Sequence, residues 1–105
     1  PRKQAFEMLT TGEFISAERA EQLGLINRHC AGDQLGAETL KLAEKVAGKL
    51  GSAVRIGKRA FYAQTGMSLE EAYGFTGDIM VTNMADKDTE EGINAFLDKR
   101  PPSWS

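Results

Sequence analysis

The side chains able to do chemistry are few, and most stand alone. His29 is the only histidine and Cys30 the only cysteine, adjacent in the polar stretch from Asn27 to Asp33. In a catalytic triad an imidazole acts beside a nucleophile and an orienting carboxylate. No Ser, Cys or Asp stands at a spacing that would complete such a set with His29. His29 therefore reads as a surface or locally satisfied residue, and Cys30 as a small apolar filler. A single cysteine forms no internal disulfide, and no Cys/His spacing suits zinc. Glu70-Glu71 and Glu90-Glu91 are adjacent pairs. On a helix adjacent side chains diverge, so neither pair is an acid/base couple. There is no GxSxG, no phosphate loop, no GxGxxG and no His-Glu metal spacing. No catalytic residue and no metal ligand is assigned. The cations gather at Arg2-Lys3, at Arg55 with Lys58-Arg59, and at Lys99-Arg100. Each group first reads as a solvated helix face or terminus.

The chain's bulk properties narrow the classes further. Its 105 residues make one domain at most. A chain of that size buries roughly 60–70% of its unfolded surface, enough for a modest core. The formal net charge of −2 provides no basic field, which argues against nucleic acid as a partner. No apolar run approaches the roughly 20 residues of a membrane helix, and no signal peptide is recognisable. Pro1-Arg2-Lys3 leads straight into a helical pattern. Cations in a first turn oppose the helix dipole, so the chain is expected to be cut from a longer one.

The segments that carry these groups read as helices. Residues 2–11 place Ala5, Met8 and Leu9 on one side, and Gly12 ends the run. Ser16 caps a short helix over 16–23 that Gly24 closes. The flanking pairs Phe14-Ile15 and Leu25-Ile26 either clasp this helix as a small hairpin or anchor extended loops. Asp33 is the expected cap of a long helix ending near Leu50, with Leu35, Thr39, Leu42, Val46 and Leu50 on its stripe and Gly51 closing it. Ser52 should cap a helix over 53–65 that Gly66 ends. Ser68 and Glu71 form a capping box for a helix to about Ala85. That helix is apolar over a wide arc, from Leu69 and Tyr73 to Met80 and Met84, which suggests a partner surface. Its glycines, Gly74 and Gly77, suggest a close approach on the remaining side. Asp88 and Glu91 form a second capping box, opening a helix over 89–100 whose last turn carries Lys99-Arg100. Pro101-Pro102 stop it, and Trp104 needs an apolar surface to lie on. The sum is an all-α chain of about six helices.

The segment Leu9–Asn27, LTTGEFISAERAEQLGLIN, resembles the LLTG-x-x-I-x-A-x-x-A-x-x-x-GLVN segment of the crotonase superfamily, the enoyl-CoA hydratases and isomerases. The far end agrees. Asp86-x-Asp88, Glu91-Gly92, Ala95-Phe96, Lys99-Arg100-Pro101 and Trp104 resemble that family's C-terminal stretch. The resemblance thus spans essentially the whole chain. Phe61-Tyr62-x-Gln64 and Met80-Val81-x-Asn83 look closest to the enoyl-CoA hydratase domain-containing branch.

The resemblance implies that residues 1–105 are the C-terminal helical part of the crotonase fold. The ββα-spiral core, with its oxyanion hole and glutamates, would lie before the TTG motif. Such N–H donors stabilise the enolate of a thioester, and carboxylates move its proton. The helical part would then build a trimer or dimer of trimers and close the acyl-CoA site. Lys99 and Arg100 match the family's basic pair for the adenosine phosphate of CoA. Met80 falls where some hydratases carry a Phe lining the site. The CoA thioester is substrate, and no cofactor is implied. The expected location is cytoplasmic in a bacterium or mitochondrial in a eukaryote. This piece alone should be catalytically dead and should form a dimer or higher oligomer. The rival reading is a free-standing helical interaction module, with the arc Leu69–Met84 as its partner surface.

Overall fold

The computed structural model describes residues 1–105 and is all-helical. α1 spans Arg2–Thr11, α2 Ala17–Gln22, α3 Leu35–Ala47, α4 Gly51–Gln64, α5 Leu69–Met84 and α6 Lys87–Leu97, with a single 3₁₀ turn at Gly32–Gln34. The chain divides into two compact units, Pro1–Lys41 and Leu42–Ser105.

In the first unit local chemistry sets the boundaries. Gly12 ends α1 with φ +64°, a left-handed conformation that favours glycine. The Ser16 hydroxyl accepts a bond from the Arg19 N–H at 3.1 Å, capping α2. α2 closes with paired bonds from Leu25 N–H to the Ala20 carbonyl and from Gly24 N–H to that of Glu21. This is a Schellman motif, with Gly24 at φ +76°. Ala20 is the buried residue here. No hairpin joins Phe14-Ile15 to Leu25-Ile26, because the Leu25 and Ile26 N–H groups are used in closing α2. Phe14 is fully exposed. Cys30 is exposed rather than a core filler. His29 is satisfied locally, since Glu21 accepts from its backbone N–H at 2.9 Å and meets its Nδ1.

In the second unit α5 packs on α4 and touches α6. The capping box at α5 is complete: Ser68 Oγ accepts from Glu71 N–H, and Glu71 Oε2 accepts from Ser68 N–H at 2.8 Å. This bonding holds the Glu71 carboxyl below the usual carboxylate range. The Thr89 hydroxyl ties α6 to the end of α5 by donating to the Asn83 carbonyl at 2.7 Å. Ala60 and Ala95 are the buried residues.

Several expected boundaries move. Asp33 lies inside the 3₁₀ turn, so it does not cap α3. α3 stops at Ala47, short of Leu50, and Gly51 opens α4 instead of closing α3. Leu50 takes the N-cap place of α4, and Ser52 falls in its first turn with Oγ unpartnered. α4 runs to Gln64 with Thr65 as its C-cap, so Gly66 is the first residue past the helix. Asp86, not Asp88, caps α6, through Oδ1 accepting from Asp88 N–H at 2.8 Å. α6 ends at Leu97, which places Lys99 and Arg100 beyond its last turn.

Candidate site at the end of α6

The two cations singled out in the sequence part company at the end of α6. The helix closes with a Schellman pair, Arg100 N–H to the Ala95 carbonyl at 3.0 Å and Lys99 N–H to that of Phe96 at 3.2 Å. Lys99 sits at the left-handed position with φ +54°, the only non-glycine residue in that region. Glycine usually fills such a position, and a side chain there costs about 1–2 kcal/mol. The Lys99 ammonium has no carboxylate partner.

Arg100 turns back onto α6. Its Nη1 and Nη2 donate to Glu91 Oε1 and Oε2 at 2.6 and 3.1 Å, and its Nε to Asp98 Oδ2 at 3.4 Å. The two-pronged contact is the strong form of a guanidinium–carboxylate pair. It lowers the Glu91 carboxyl to about 2 and raises Arg100 above its ordinary value. Glu91 Oε1 also accepts from Ser103 N–H at 2.9 Å.

Trp104 finds its apolar surface on the next residue of α6. A Cβ added at Gly92 would lie 3.2 Å from Trp104 Cη2 and 3.4 Å from Cζ3. The indole N–H donates to the Gly48 carbonyl just past α3 at 3.2 Å. Ser105 donates from its N–H and hydroxyl to Asp88 Oδ1 at 3.1 and 2.6 Å. Glu91, Gly92 and Asp88 are therefore the tail's anchors, roles the capping-box reading missed. The signal lay in the Glu91-Gly92 pair of the C-terminal motif.

Met80 lies elsewhere, in a groove of about 220 Å³ between α4 and α5. Ile56, Gly57 and Ala60 form one wall, and Thr76, Ile79 and Asn83 stand beside Met80 on the other. Lys99 and Arg100 are not among the groove's lining residues. Asn83 Oδ1 is buried without a partner. No cluster of three or more His, Cys, Asp or Glu side chains is placed to hold a metal. No helix is long and apolar enough to cross a membrane.

Known proteins match this chain along its whole length. The enoyl-CoA hydratase/isomerase family profile covers residues 1–105. The chain belongs to that family, and it is the C-terminal helical part of the crotonase fold. The mitochondrial enoyl-CoA hydratase domain-containing protein 3 of Mus musculus is 47% identical over 105 residues, all of this chain and 35% of that protein. The crystal structure of the human enoyl-CoA hydratase domain-containing protein 3 superposes with a TM-score of 0.94 at 46% identity, over 99% of this chain and 41% of that one. An enoyl-CoA hydratase of Mycobacterium smegmatis also gives 0.94 at 46% identity, over 97% and 40%. The chain thus spans about a third of the length of the curated relatives it matches.

Proposed function

We propose that this chain is the helical part of an acyl-CoA-processing enzyme of the hydratase/isomerase type, where it supports oligomerisation and closes the CoA site. The observation that carries the reading is Lys99, unpaired and held at a left-handed helix end inside the family's C-terminal motif. A lysine ammonium there meets the adenosine phosphate of CoA as a point charge. Arg100 serves as an anchor to Glu91, which leaves the phosphate to Lys99. Met80 contributes apolar contact from the α4–α5 groove. The thioester is the substrate, and the protein itself needs no cofactor for this role.

Residues 1–105 contain no acid/base carboxylate pair and no assigned oxyanion hole, so this segment alone is catalytically inactive. The full-length protein hydrates or isomerises an enoyl-CoA. Its mitochondrial relatives support a mitochondrial location in a eukaryote, with the cytoplasm as the bacterial counterpart. A steady-state assay with crotonyl-CoA tests the division. Turnover by the full-length protein and none by residues 1–105 supports it, and turnover by the 105-residue segment at an enzymatic rate sinks it.

The second reading, a helical module that binds a protein partner, draws on the exposed arc of Leu69, Tyr73, Met80, Val81 and Met84 on α5. Large exposed apolar surfaces mark interaction sites. Self-association through this arc in a full-length protein with no acyl-CoA binding would favour the module over the enzyme.

A further inference from the structure

Glu91 uses both carboxylate oxygens on the segment that follows its own helix. Arg100 takes one N–H bond to each oxygen, and Ser103 N–H joins on Oε1. These contacts fall immediately after Lys99, whose backbone is held left-handed at φ +54°. The sequence motif offers two neighbouring cations to a phosphate. The geometry separates them, since the Arg100 charge is matched within the chain and that of Lys99 is not. The Gly92–Trp104 packing and the Asp88–Ser105 bonds pin the same tail further along.

We propose that Glu91 is a positioning residue for CoA recognition: by clamping Arg100 and Ser103 it holds Lys99 in place and leaves its ammonium as the single unpaired cation of the pair. This rests on the CoA-phosphate role given above to Lys99. Glu91 touches no substrate; it acts through the backbone that carries Lys99. It also keeps Arg100 from competing for the phosphate. Recognition then depends on one point charge in a fixed position rather than on two mobile ones.

The test uses the full-length protein with an acyl-CoA thioester and the matching dephospho-CoA thioester, which lacks the 3′-phosphate. Glu91→Gln should raise KM for the acyl-CoA about fivefold and leave kcat within about twofold, with KM for the dephospho substrate unchanged. A general loosening of the fold would raise both KM values alike. Arg100→Gln breaks the same clamp from the other side and should give the same selective loss. The double variant should be no worse than either single change, because both remove one interaction. A fall in KM on Glu91→Gln would mean that a freed Arg100 binds the phosphate itself, and would overturn the proposal. Equal losses on both substrates would overturn it too. Lys99→Ala separates the two claims. If it leaves both KM values unchanged, the phosphate role of Lys99 fails. If it abolishes the discrimination and the Glu91 and Arg100 variants do not, only the positioning role fails.

Discussion

Among single residues, Lys99 at the end of α6 sets local backbone strain against its proposed role at the CoA phosphate. Lys99 occupies a backbone region that glycine fills at no steric cost. Lys99→Gly should therefore raise stability by about 0.5–1 kcal/mol in urea unfolding, while raising KM for an acyl-CoA about tenfold. A loss of stability would mean that the lysine side chain contributes more to packing than its backbone costs. Gly92 presents the opposite case. An alanine in a helix interior usually gains about 1 kcal/mol over glycine. At position 92 its Cβ would press on the Trp104 ring, which the Gly48 carbonyl and the Ser105 bonds hold in place. Gly92→Ala should forfeit that gain and shift Trp104 fluorescence towards that of water-exposed indole. An unshifted spectrum with higher stability would show that the ring yields easily.

The Glu91 carboxyl belongs to the same scale and makes a pH prediction. Its folded value is lowered from an ordinary 4.5 to about 2, with the Arg100 bond as the largest cause and the Ser103 N–H next. A depressed carboxylate stabilises the fold fully above its unfolded value. That contribution is lost as pH falls from about 4.5 towards 2. An NMR titration of the Glu91 carboxyl carbon should have its midpoint near 2, and Arg100→Gln should move it back towards 4.5. A midpoint near 4.5 in the unmodified protein would mean that the ion pair does not persist in solution.

Among the elements, caps with a single candidate residue nearby are legible in sequence. Ser16 and Ser68 both cap as their patterns imply, and Gly12 and Gly24 end their helices left-handed. Ser68→Ala should cost about 1 kcal/mol, because it removes the hydroxyl half of the capping box. Equilibrium unfolding in urea checks this, and an unchanged midpoint would mean that packing alone fixes the start of α5. The misread caps have other causes. Asp86 and Asp88 are equally good cap residues by type, and the choice between them depends on Ser105, 17 positions away, which engages the Asp88 carboxylate. Ser52 is displaced because α4 begins two residues earlier, at Gly51, with Leu50 in the N-cap place. A cap is a competition among nearby polar groups, and at α6 a distant residue engages one of the competitors.

At the scale of the molecule, the helices bury little. The buried residues are Ala20, Ala60 and Ala95, all small. Large apolar side chains such as Leu9, Phe14, Leu69, Tyr73 and Phe96 stand in solvent. Such surface favours association. We expect residues 1–105 to sediment as a dimer or higher oligomer at micromolar concentration, and a monodisperse monomer that binds no hydrophobic dye would contradict this.

The helical class, the order of the helices, the Ser68 capping box and the family are legible in the residues alone, because these follow from apolar spacing, short-range capping chemistry and two specific motifs. The sequence also marks Lys99, Arg100 and Met80, through resemblance to that family. The contacts those residues make arise only in the folded chain. Its tertiary structure sets Arg100 against Glu91, leaves Lys99 unpaired, places Met80 in a separate groove and lays Trp104 on Gly92. The physical reason is range. Capping acts over three or four residues along a helix, whereas the clamp on the tail joins residues 9–17 apart and the indole bond residues 56 apart. Those pairings exist only once the chain has folded back on itself.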